Sequence, residues 1–104
     1  MNQRRPKKIM TQNLCIAWYR PEDYKVLRLL FKDGHKLPLT YEDWKRQVDE
    51  NIDQATSQGI VVIKAYINPK TFPNWCRARD LNIDAKARER FTTEFADQQQ
   101  RKIN

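Results

Sequence analysis

The sequence predicts an α+β domain of order β-α-α-β-α-α, with about four helices packed around a small two-stranded sheet. Three observations lead there. Only two glycines occur in 104 residues, too few for the positive-φ turns on which hairpins and barrels depend. Several stretches carry apolar residues three and four positions apart between capping signals, as amphipathic helices do. Two short runs, Leu14 to Tyr19 and Ile60 to Ile67, are instead almost continuously apolar and end at turn residues, the pattern of buried strands.

Residues 1–12 are polar and basic, contain Pro6 and show no periodicity, so they read as a flexible basic arm. Met10 lies at its end; translation starting there would give a chain without the basic cluster. The first strand stops at Arg20 and Pro21. Pro21 suits the first position of a helix, where a missing N–H costs nothing, and Glu22 and Asp23 suit the positive end of the helix dipole. Tyr24, Leu27, Leu30 and Phe31 form one apolar face, and the helix is expected to reach Asp33 and to end at Gly34.

A connection carrying His35 and Pro38 follows, and Thr40 is a good N-cap for a second helix reaching Gln58. Trp44, Val48, Ile52 and Ala55 make its apolar stripe, Glu42 can pair with Arg46, and Gly59 is the stop. Ile60 to Ile67 is the strongest strand, β-branched at its start. Asn68 and Pro69 resemble an N-cap and N1 proline opening a third helix, in which Pro73 must sit near the first turn. A break at Asp80, Leu81 and Asn82 leads to a fourth helix with Ile83, Ala87, Phe91 and Phe95 on one face and the pairs Asp84–Arg88 and Arg90–Glu94 available. The organisation expected is therefore one domain over residues 13–97, with 98–104 a frayed tail.

A hydrophobic fraction of 39%, with three Trp, four Tyr and four Phe, is too high for a disordered chain of this charge content. No run approaches the roughly 20 apolar residues that span a bilayer, and the basic start is not followed by the apolar region of a secretion signal. A cytoplasmic protein without membrane association is expected. Cys15 and Cys76 lie beside apolar neighbours and read as reduced core thiols; with His35 as the one histidine they make no recognisable metal set. Two glycines cannot build a phosphate-cradling loop, and no pair of carboxylates is marked out for catalysis. No cofactor, metal or catalytic residue is expected.

The net charge of +7 is unevenly spread, with +4 on residues 1–10 and +3 on all the rest. Arg4, Arg5, Lys7 and Lys8 could meet phosphates. Helices three and four have the length of a helix-turn-helix unit, whose second helix would present Lys86, Arg88 and Arg90 to DNA. The register is poor: placing Asp80 at the turn puts Leu81 inside, but sets Lys86 and Glu89 where apolar residues belong. Trp and Tyr are enriched at interface centres, and Trp18, Tyr19 and Tyr41 border expected loops, which makes them candidate anchors for a protein partner. The uncovered edge of Ile60 to Ile67 motivates a homodimer. The function expected is that of a small non-catalytic binding module, a protein-interaction or homo-oligomeric adaptor; the alternative is nucleic-acid binding through the 69–97 helical pair and the basic arm.

Overall fold

A computed structural model describes residues 12–103, with side chains through residue 101. The arm expected over residues 1–12, with Arg4, Arg5, Lys7 and Lys8, lies outside the described residues apart from Gln12. The elements are β1 (Asn13–Trp18), α1 (Pro21–Leu30), α2 (Tyr41–Ser57), β2 (Val61–Tyr66), α3 (Phe72–Ala78) and α4 (Ala85–Ile103), with one 3₁₀ turn at Gly34–Lys36. This is the α+β order read from the sequence: four helices around a two-stranded sheet.

The strands are parallel, with Asn13 opposite Val61 and Trp18 opposite Tyr66. A parallel pair needs a long crossover, which α1 and α2 supply. Alternation along the strands puts Ile16, Trp18, Lys64 and Tyr66 on one face and Cys15, Ala17, Ile63 and Ala65 on the other. Trp18 meets Trp44 of α2 edge-on with ring centroids 5.1 Å apart, so the first face is α2's. The alanine face is left for α4, which packs against both strands. Ala65 and Ala87 are wholly buried, and side chains this small let a helix lie close to a sheet.

Nearly all the aromatic rings form one connected core. Trp18, Tyr19, Tyr24 and Trp44 gather at one end; Phe31, Phe72, Trp75 and Phe91 gather at the other. The Tyr19–Phe31 contact, 5.7 Å between centroids, joins them. Each fully buried large apolar side chain contributes about 1.5–3 kcal/mol, so Leu27, Ile67 and Phe72 are among the main anchors of the fold.

Element boundaries shift where local hydrogen bonds win. α1 ends at Leu30 rather than Asp33, because Phe31 turns to an extended conformation to enter the core. Gly34 does not stop a helix by positive φ. A Cβ on it would lie 1.7 Å from the carbonyl oxygen of Arg28, so glycine is required by close backbone approach. Gly59 does have the left-handed backbone expected at a helix end, with φ +81. Asn68 does not cap α3. Its Oδ1 accepts from the Lys70 N–H at 2.7 Å, forming a local turn, and the helix begins at Phe72 with Pro73 in its first turn. Asp84, not Asn82, caps α4 by accepting the Ala87 N–H at 3.1 Å, and the helix continues past Asp97 to Ile103.

Candidate interaction surface

Thr40 accepts the Asp43 N–H at 3.1 Å and fixes the start of α2 as expected. The segment before it is also pinned. The Tyr24 hydroxyl donates to the carbonyl of Pro38, and Arg28 Nε donates to the carbonyl of Leu37 at 3.4 Å. Burial raises the Tyr24 pKa, so this hydroxyl keeps its proton and remains a donor. Leu39 thus lies between a tethered proline and a helix cap, and its side chain is 75% exposed.

Across from it stands Leu29 of α1, 76% exposed. The two leucines line a groove of about 410 Å³ with Pro21, Tyr24 and Tyr41, rimmed by Lys25, Arg28 and Glu42. Val26, one turn before Leu29 on α1, is half exposed. Isolated surface leucines are ordinary; two on facing walls of one pinned groove concentrate apolar surface where a partner side chain fits.

Compared with family models, with curated proteins and with solved structures, the chain matches none of them. The groove's geometry and chemistry therefore carry the functional reading.

Of the anchors expected from the sequence, Trp18 and Tyr19 are 5% and 3% exposed. They are core residues in the single chain rather than surface anchors, because the strand end carries them into the aromatic cluster. Burial pushes the Tyr19 hydroxyl up to about 12, with Arg88 pulling the other way. Tyr41 alone of the three reaches the surface, and it lines the groove. Leu29 and Leu39 were not among the candidates. Their signal was apolar residues off the predicted stripe: Val26 and Leu29 fall outside the face of Tyr24, Leu27 and Leu30, and Leu39 follows a proline in a loop.

Two of the three α4 cations expected to face nucleic acid are engaged in ion pairs. Both guanidinium nitrogens of Arg88 donate to Asp33, at 2.9 and 2.6 Å. Arg90 donates to Glu94 at 3.0 Å, and Arg79 shares the same carboxylate at 3.2 Å. Lys86 is exposed and has no acidic partner among the described residues. The connection 79–84 between α3 and α4 also exceeds the turn of about 3–4 residues in a helix-turn-helix. Asp80 does take the turn position, with φ +58.

Other candidate chemistry stays dispersed. His35 is exposed in the 3₁₀ turn. No group of three or more His, Cys, Asp and Glu is assembled for a metal among the described residues. Both cysteines are free; Cys76 is buried as expected, whereas Cys15 is only half-buried because it lies on an outer strand. No helix among the described residues is long and apolar enough to cross a membrane.

Proposed function

We propose that the chain is a non-catalytic protein-interaction module that captures a short amphipathic segment of a partner protein in the groove between α1 and the Leu39–Glu42 segment. The observation that carries this is the pair Leu29 and Leu39, three-quarters exposed on facing walls of one pinned groove. The rim defines the partner's charge. Lys25 and Arg28 outnumber Glu42 there, so a segment with leucine-like residues flanked by Asp or Glu is the complementary one. Pinning by Tyr24, Arg28 and Thr40 lowers the entropy lost when the groove is filled. Two unpaired cysteines fit a reducing compartment, and we read the module as cytoplasmic.

A displayed random-peptide selection against the full chain tests this. Selected peptides should combine apolar and acidic residues and lose binding at least tenfold to Leu29→Asp and to Leu39→Asp, both of which keep the wild-type unfolding midpoint. Peptides that bind these variants unchanged, or a selection that enriches nothing, would sink the proposal. Nucleic-acid binding through α3 and α4 has less support, because Arg88 and Arg90, two of its three candidate cations on α4, are paired with Asp33 and Glu94.

A further inference from the structure

A two-stranded sheet has two outer edges, and hydrogen bonding decides which backbone groups face them. The Val61 N–H donates to the carbonyl of Gln12 at 2.9 Å, and the Ile67 N–H to that of Trp18 at 3.0 Å. In a parallel ladder this directs the odd-numbered residues of β2 and the even-numbered residues of β1 toward each other. The N–H and C=O groups of Asn13, Cys15 and Ala17 consequently point away from β2, and among the described residues nothing bonds to them. The corresponding groups of β2 belong to Val62, Lys64 and Tyr66.

The two edges differ in protection. β2 carries the exposed Lys64 at its middle, a charge that blunts edge-to-edge pairing. From Asn13 to Tyr19 there is no charge and no proline. Leu14 is 43% exposed on this strand. Two strands alone are a marginal sheet, and three or more are the usual stable unit.

We propose that the outer edge of β1 pairs antiparallel with the same edge of a second copy of this chain, giving a four-stranded sheet of order β2-β1-β1-β2. The register follows from which groups are free. Centring the two-fold axis on Cys15 sets Asn13 against Ala17 of the second copy and Cys15 against its own counterpart. All three outward-facing residues then exchange both hydrogen bonds, and a two-fold contact of this kind closes on itself. The same register brings Leu14 against Ile16 of the second copy, covering the exposed leucine. Lys64 guards the new outer edges, so assembly stops at two chains. The pairing is independent of the α1 groove, which lies on other elements.

Sedimentation equilibrium of the full chain at tens to hundreds of micromolar should give a mass approaching twice 12.5 kDa. Cys15→Pro removes an N–H that β2 does not use, so it should halve that mass while leaving the unfolding transition cooperative. A short bis-maleimide provides a measurement on the unaltered chain: it should join two copies through Cys15, with Cys76 buried and inert, and yield no crosslinked dimer from Cys15→Ser. A single-chain mass throughout the concentration range, or a dimer that this reagent does not join at Cys15, overturns the proposal. If Cys15→Pro does not fold, crosslinking of the unaltered chain decides. Leu29→Asp should leave the dimer intact, which separates this result from that of the groove.

Discussion

Arg88 of α4 reaches past Asp84, its neighbour one turn back, and places both guanidinium nitrogens on the carboxylate of Asp33 at the end of the α1 turn. The side chains are 12% and 20% exposed, and the Arg88 guanidinium also lies 4.3 Å from the centre of the Phe31 ring. This pair clamps α4 to the segment where α1 ends. The backbone reinforces it, since the Lys32 N–H donates to the carbonyl of Ile83 at 2.7 Å. Asp84 instead caps α4, accepting the Ala87 N–H.

Removing Asp33 leaves a largely buried cation unpaired, a change that costs more than the net value of the intact pair. Asp33→Ala should lower stability by about 2–3 kcal/mol in urea unfolding. Arg88→Met in the same background should restore part of that loss, because methionine keeps contact with Phe31 without a charge. Losses that simply add in the double variant would refute the coupling.

Acid should weaken the fold through the same contact. The hydrogen bond from Arg88 holds Asp33 below its ordinary value of 3.8. Arg46 does so for Asp43, and Arg90 followed by Arg79 lowers Glu94 from 4.5. Carboxylates depressed in the folded state contribute stability that is complete above their unfolded values and is lost as pH falls through the folded ones. The urea midpoint should therefore change little from neutral pH to about pH 5 on account of these groups, then fall below about pH 4. For Asp33→Asn the curve should start lower and converge on the wild type as Asp33 protonates. Parallel curves through the acid range would assign the acid sensitivity elsewhere.

The two glycines should respond differently to alanine. Gly34→Ala drives a methyl group into the Arg28 carbonyl, which cannot move without unwinding the end of α1, and should cost about 3 kcal/mol or more. Gly59→Ala meets open space and carries only the left-handed backbone penalty of about 1–2 kcal/mol. Equal losses in thermal unfolding would contradict this division.

Thiol labelling should separate the cysteines. Cys76 of α3 is wholly buried and should react only when the domain opens. Cys15 should react in the native protein, but slowly at neutral pH, because burial raises its thiol above the ordinary 9.0. Its rate should keep climbing as pH passes 9. Native labelling of Cys76 at the rate seen in denaturant would show that the core is open.

Only one wall of the candidate groove left a trace in the sequence, as an exception to a pattern. Leu29 and Val26 are apolar residues off the stripe that buries Tyr24 and Leu27, yet nothing in the sequence says that Leu39 lines one groove with Leu29. That meeting depends on the Tyr24 hydroxyl holding the Pro38 carbonyl, a contact over fourteen positions. Trp18 and Tyr19, expected at the surface, are buried in the single chain for the complementary reason. A position beside a loop does not decide whether an aromatic ring faces water, whereas the Trp44 and Phe31 rings do.

The sequence by itself determined the order of elements, the Thr40 cap, the Gly59 stop and the i,i+4 pair Arg90–Glu94. Each depends on neighbours within a few residues, whose spacing is written in the chain. Tertiary structure decided the parallel register, the bond between Arg88 and Asp33, the reason for Gly34 and the facing of Leu29 and Leu39. Those depend on groups far apart in sequence brought together by packing, where close backbone approach and a largely buried charge outweigh local preference.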